Sequence, residues 1–232
     1  MMLEQVHPAP DLARLIRDYE GRGGVLMFAF FSDDFPRLPE PELHREAAIA
    51  TLQAFAERNE RYFAQEAVVQ AFINAGLDPE THFRVTTQPE KAQGREITIA
   101  EFVGPLYEVG SHRLLLRGRT RNHLNHYFFA GEPESPGTVR EIPGGMTGYG
   151  YAYAFTEPPY NLRGTSEEIN TLFLSMNVQL FQDFEEAVTF YEWSTDWSTY
   201  FDAGHEWWGA FLWTVHNTKT NLILGIGAST TD

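Results

Sequence analysis

The sequence predicts an α+β fold in one domain: a mainly antiparallel, mixed sheet with about four helices packed on it. Three observations predict it. Helical periodicity is concentrated in residues 1–80. Strand-length apolar runs joined by short turns dominate residues 81–232. The 232 residues, 43% of them hydrophobic and 14% aromatic, carry enough apolar surface for a sizeable core. A domain boundary within the proline- and glycine-rich residues 132–148 would leave a small C-terminal portion, so one domain spanning 1–232 is expected.

The elements follow in order. Asp11 is placed to cap a short helix whose Leu12, Leu15, Ile16 and Tyr19 recur at helical spacing, and Gly21, Gly23 and Gly24 stop it. GVLMFAFF, residues 24–31, is continuously apolar and reads as a strand buried on both faces; Ser32, Asp33, Asp34 and Pro36 end it in a turn. Residues 41–75 carry two apolar stripes that do not join, which predicts two helices broken near Asn59, the second ending at Gly76. Residues 82–87 and 96–103 alternate moderately and read as strands. HRLLLRG and NHLNHYFFA read as a hairpin turning at Gly118 and Arg119.

Residues 149–155, YGYAYAF, read as a strand with a tyrosine face (Tyr149, Tyr151, Tyr153) and a small face that lets another backbone approach. Thr165-Ser-Glu-Glu168 has capping-box spacing and opens a helix through Ile169, Leu172, Phe173, Met176 and Leu180. Residues 187–193 and 207–216 read as strands, and 221–228 pairs with the latter in a hairpin. That hairpin is expected in the middle of the sheet, because neither face of its first strand carries the charge or proline that marks an edge.

The chain has no cysteine, which excludes disulfides, thiolate metal sites and cysteine nucleophiles. MMLEQVHPAPDLARL does not have the basic start and apolar run of a signal peptide, and no stretch approaches a bilayer span. A cytoplasmic setting is the expectation. The formal net charge of −15 opposes nucleic acid and anionic membranes and favours basic partners.

No phosphate loop, dinucleotide fingerprint, nucleophile elbow or HExxH is present. Gly144-Gly-Met-Thr-Gly148 leads into a predicted strand, the wrong context for a phosphate cradle. No cofactor or metal site is assigned.

Attention falls instead on residues 190–217. They contain all five tryptophans, Trp193, Trp197, Trp207, Trp208 and Trp213, and lie in a window from Arg163 to Lys219 with nine acids and no intervening lysine or arginine. Asp196, Asp202, His205 and Glu206 sit on the loop between two predicted strands. Carboxylates beside tryptophans suit general acid–base work, and with a histidine they suit a metal; ordinary turn chemistry accounts for the same residues. Trp197, Trp207 and Trp208 are the candidate binding rings.

A second candidate is the acid-free window between Glu108 and Glu132. Its arginines, Arg113 and Arg117 foremost, suit phosphate or carboxylate, or pair internally. Four arginines on one hairpin are too small a patch to make an acidic chain bind nucleic acid. The tyrosine face, Tyr149, Tyr151 and Tyr153, is the third, against the plainer possibility of packing under a helix.

Two functions follow. The first is an interaction protein docking on a basic partner through an acidic Trp/Tyr-rich surface, a compositional likeness to inhibitors and immunity-type proteins. The second is a hydrolase or small-ligand binder, with a sugar-like ligand, built on the 196–206 loop. The fate of the tryptophans discriminates: a concave pocket favours the second, an exposed patch the first, and burial of the rings weakens both.

Overall fold

The computed structural model describes residues 3–32, 38–76, 78, 84–140, 142, 149–182 and 187–230. Within them the fold is α+β. Nine strands form two sheets: β1 (Glu4–Val6), β2 (Met27–Ser32), β3 (Gly94–Ile97), β7 (Val188–Trp193), β8 (Ala210–Asn217) and β9 (Leu222–Ser229) in the larger, and β4 (Tyr107–Glu108), β5 (Arg113–Arg117) and β6 (Tyr127–Phe129) in the smaller. Seven α-helices accompany them: α1 (Pro10–Gly21), α2 (Glu40–Phe63), α3 (Glu66–Asn74), α4 (Ile99–Val103), α5 (Tyr151–Thr156), α6 (Ser166–Phe181) and α7 (Asp202–His205). The expectation of one sheet and about four helices is corrected to two sheets and more helices; α4, α5 and α7 are only five, six and four residues long. No helix among the described residues is long and apolar enough to cross a membrane.

The larger sheet is antiparallel throughout, in the order β1-β2-β9-β8-β7-β3. The β8–β9 hairpin therefore lies in its middle, as its uncharged faces predict. Side chains alternate between two cores. Phe211, Trp213 and Val215 of β8, with Leu224, Ile226 and Ala228 of β9, face α4, α5, α6 and the smaller sheet. Leu212 and Ile223 face the long helix α2.

Helix α2 lies close on that second face because β9 has glycine there. A Cβ on Gly225 would overlap the Thr51 side chain, and one on Gly227 would stand 2.5 Å from the Phe55 ring. The helix buries Leu43, Ala47, Ala48, Leu52 and Phe55, and also His44 and Thr51. It runs unbroken through Asn59 and ends only at Ala64, so the two-helix reading was right in number and wrong in position. The second helix, α3, buries none of its side chains. Helix α1 begins with Pro10 after the N-cap Ala9 and has no side-chain cap, so Asp11, the predicted cap, lies two residues inside the observed one.

Other readings are corrected. Residues 151–156 are helical, not a strand. A six-residue Tyr/Ala alternation fits a 3.6-residue period as well as a period of two, and alanine favours helix. Tyr149, one residue before the N-cap Gly150, stacks on Tyr153 of the first turn at 3.9 Å. Gly150 does carry the close approach expected of the small residues, since a Cβ there would meet the backbone of Phe102 and Gly104. The predicted strand 96–103 stops at Ile97, where Thr98 and Glu101 form a capping box and start α4. Residues 84–86 are not strand, Thr87 makes only an isolated bridge to Ser198, and the remainder of that predicted strand lies outside the described residues. The β5–β6 hairpin exists, but residues 118–126 form its connection, so His123 and His126 lie in a loop. The capping box of Thr165 and Glu168 opens α6 as predicted. Gly144 to Gly148 lie outside the described residues.

Candidate functional site

Four of the five tryptophans are buried: Trp193, Trp197, Trp208 and Trp213 are at most 6% exposed, while Trp207 is 55% exposed. Trp197 donates to the Ser194 carbonyl and Trp208 to the Glu157 carbonyl, at 2.6 and 2.5 Å. They are core rings with satisfied N–H groups, not recognition anchors. Asp196, Asp202, His205 and Glu206 are exposed, and they line none of the clefts described below. His205 meets the Thr195 hydroxyl at 2.8 Å. Ser198, rather than Asp196, accepts the Tyr200 amide at the following turn.

The tyrosines divide. Tyr151 is fully buried among Phe102, Phe155 and Phe173. Tyr153 donates to the Trp208 carbonyl at 3.4 Å. Arg113 donates to the Ala130 carbonyl, pairs with Glu132 at 3.5 Å and covers the Phe129 ring. These are structural positions. Arg117 is different.

Arg117 lines a cleft of about 340 Å³ whose walls are the β5–β6 connection and the segment joining α5 to α6. Arg119, Arg163 and Glu157 line it too, with Tyr160 78% exposed at its mouth and Leu116, Leu124 and Leu162 as apolar surface. Its volume falls in the range of small-molecule sites. Arg119 staples the two walls by donating to the carbonyls of Leu162, at 3.0 Å, and Gly164. Arg163 donates to the Gly21 carbonyl at 2.6 Å. None of the three arginines forms an ion pair with a carboxylate of the described residues. That contrasts with Arg22, Arg58, Arg95, Arg113 and Arg140, each held by an acid.

Glu157 is 9% exposed at the end of α5. Burial raises its pKa, and the Arg117 charge, the Arg117 backbone amide and the Arg119 charge offset this only in part. Burial, reinforced by the Glu157 charge, also raises Tyr127, against the Arg117 charge and hydrogen bond. The cleft thus combines three cationic forks with a carboxyl group biased toward its neutral form.

A second constellation lies beneath α2, on the sheet face that Thr189, Thr214 and His216 share. Glu40 Oε1 receives the Thr189 hydroxyl at 2.6 Å and stands 2.9 Å from His216 Nδ1. His44, fully buried and stacked on Tyr191, has Nε2 3.0 Å from Thr189 Oγ1 and Nδ1 2.7 Å from Thr214 Oγ1. Trp193 donates to Thr214 Oγ1 at 2.9 Å. One proton assignment satisfies every contact. Trp193 donates to Thr214, Thr214 to His44 Nδ1, His44 Nε2–H to Thr189, and Thr189 to Glu40, which also accepts His216 Nδ1–H.

Burial lowers His44 to about 4, with the Glu40 charge opposing, so the ring is neutral at pH 7. For Glu40, burial pushes the pKa up, but the hydrogen bonds from Thr189 and His216 outweigh it and the net shift is downward. One potential ligand atom from each of Glu40, His44 and His216 lies within 4.8 Å of the other two.

No family model, curated protein or solved structure matches the chain. Function therefore rests on these two arrangements. Of the residues in these two arrangements, the sequence singled out Arg117 and Arg119 in its basic window but not Glu157, Arg163, Glu40, His44 or His216. The signals were faint: a single acid after an aromatic run, and a histidine on the apolar stripe of α2 (Leu43, Ala47) where an aliphatic residue is usual.

Proposed function

We propose that the protein binds a small anionic ligand, a carboxylic acid or phosphate ester, in the Arg117–Arg119–Arg163 cleft. One observation carries this: on a chain of net charge −15, three arginines that form no ion pair with a described carboxylate line one concave site. Guanidinium forks bind carboxylate and phosphate through paired, charge-assisted hydrogen bonds. The carbonyls that anchor Arg119 and Arg163 hold two of the forks in place before the ligand arrives. Tyr160 offers an exposed ring for the ligand's body. Glu157, whose pKa burial raises, lines the same cleft. The hydrolase alternative, if built on this cleft, would use it as the acid–base group.

The test is calorimetric titration with inorganic phosphate, a dicarboxylate, a sugar phosphate and a nucleoside monophosphate. At least one should bind wild-type protein saturably. Arg117→Ala should weaken it about 10- to 100-fold, the scale of one charge-assisted contact, with Arg117→Lys intermediate. No binding by any of the four, or equal binding by Arg117→Ala, overturns the assignment.

Docking on a basic protein retains one supporting observation, the exposed Trp207 beside exposed Asp202, His205 and Glu206. With Trp197 and Trp208 in the core it has a single aromatic anchor, and it would be favoured only if Trp207→Ala abolished capture of a defined basic partner.

A further inference from the structure

We propose that Glu40, His44 and His216 form a binding site for a borderline divalent transition-metal ion of the zinc class. The three residues come from different parts of the chain. Glu40 and His44 occupy one face of α2 at i,i+4, and His216 projects from β8 toward the same point. Two imidazoles and one carboxylate are a donor set that suits Zn²⁺, Co²⁺, Fe²⁺ or Mn²⁺ rather than calcium, which takes oxygen ligands.

The two spacings that involve Glu40 fit one ion. Metal–ligand bonds of ~2.0–2.1 Å hold neighbouring ligand atoms roughly 2.9 Å apart at octahedral angles and about 3.4 Å apart at tetrahedral ones. Glu40 Oε1 stands 2.9 Å from His216 Nδ1 and 3.4 Å from His44 Nε2.

For His44 the surroundings supply what a ligating residue requires. A metal-bound histidine donates its other ring N–H to a fixed acceptor. For His44 that acceptor is Thr214 Oγ1, 2.7 Å from Nδ1 and itself anchored by Trp193. For His44, ligation needs no side-chain movement, only relocation of its imidazole proton from Nε2 to Nδ1; His216 must likewise move its Nδ1 proton to Nε2. Thr189 gives up His44 Nε2 and keeps its hydrogen bond to Glu40. Glu40 is 36% exposed while both histidines are buried, so an ion has a path from solvent and positions left for water or a ligand. Three protein ligands with an open side are the arrangement of reactive rather than purely structural zinc sites.

The test uses untagged, full-length protein stripped with a chelator. Zn²⁺ should bind at one ion per chain and raise the melting temperature, and Co²⁺ should give a visible absorption band that Zn²⁺ displaces. Glu40→Gln and His216→Ala should each weaken Zn²⁺ binding at least tenfold. A measurement on the unmutated chain guards against variants that fail to fold: Zn²⁺ should shift the imidazole nitrogen resonances of two of the eight histidines. Absence of stoichiometric binding, wild-type affinity in either folded variant, or unmoved resonances of His44 and His216 overturns the site. Loss of anion binding at the arginine cleft would leave this outcome untouched, because the two sites share no residue.

Discussion

Glu40 and Glu157 are both drawn into the protein, and their protonation equilibria move in opposite directions. Glu40, the more exposed of the two, is held ionised; Glu157, 9% exposed, is pushed toward its neutral form. Burial acts the same way on both. What differs is the supply of donors. Glu40 receives the Thr189 hydroxyl and His216 Nδ1–H and sits in the first turn of a 24-residue helix, where the backbone dipole favours a negative charge. Glu157 lies at the C-terminal end of a six-residue helix. Its offsetting groups, the Arg117 charge and amide and the Arg119 charge, do not outweigh burial. The pair teaches that donors placed on a carboxylate, rather than its depth, decide whether it stays charged. A satisfied carboxylate secures a fold; an under-satisfied one beside unpaired arginines is the state expected of a site awaiting a ligand.

The strongest way to break the comparison is to cut the Glu40 chain at its centre. His44→Ala removes a fully buried ring and strands the groups on either side of it, the Thr214 hydroxyl and the Thr189 oxygen. A loss of about 3 kcal/mol or more is expected in urea unfolding, from the cavity and the unmet polar groups together. A loss under about 1 kcal/mol would mean that the network adds nothing beyond its neighbours' packing.

Glu157→Gln should act the other way. Because the folded pKa lies above the unfolded value, the contribution of Glu157 to stability is greatest in acid, below the unfolded pKa. It is lost as pH rises through the folded pKa and the carboxylate must ionise in a poorly solvated position. The amide keeps the shape and cannot ionise. The variant should therefore be more stable than wild type at neutral pH, with the gain vanishing as pH falls through the carboxylate range. Thermal melts across pH measure it, and a variant less stable at every pH would show that the cleft already satisfies the carboxylate. Stabilisation by removing an ionisable group from a cleft is what a stability–function compromise predicts.

How much of this was legible in the sequence depends on the length of the pattern. The eight-residue strands β8 and β9 and the 16-residue helix α6 were readable because each carries several periods of apolar repetition and, for α6, a cap. Residues 151–156 were not, since six residues do not separate a period of two from one of 3.6. The tryptophans misled for a related reason. Density along the chain says nothing about which side of a strand is covered, and α2, far away in sequence, covers the face that Trp193 shares with Thr214 and His216. The candidate sites were hidden more deeply. Glu40 and His216 are 176 residues apart, and only the packing of α2 across the glycines of β9 brings them together.

The smallest effect concerns the loop on which the sequence placed its chemistry. Asp196 and Asp202 are exposed, and neither carboxylate takes a hydrogen bond or ion pair from a described residue. Their place beside tryptophans in the sequence led to the expectation that apolar rings would desolvate them. The rings instead turn inward and donate to the carbonyls of Ser194 and Glu157, leaving the acids in water. A carboxylate in water with no fixed partner interacts mainly with counterions, and removing its charge changes little. Asp196→Asn and Asp202→Asn should each alter stability by no more than about 0.5 kcal/mol, the ordinary range for surface substitutions, and should leave anion binding at the arginine cleft unchanged. Asp202 sits in the first turn of α7, so any residual effect should be larger there than at Asp196 and should shrink with added salt. Calorimetry on the two variants beside Arg117→Ala gives the contrast directly. If either asparagine weakens binding as much as the arginine change does, chemistry belongs to the 196–206 loop after all, and the cleft is a crevice between two loops.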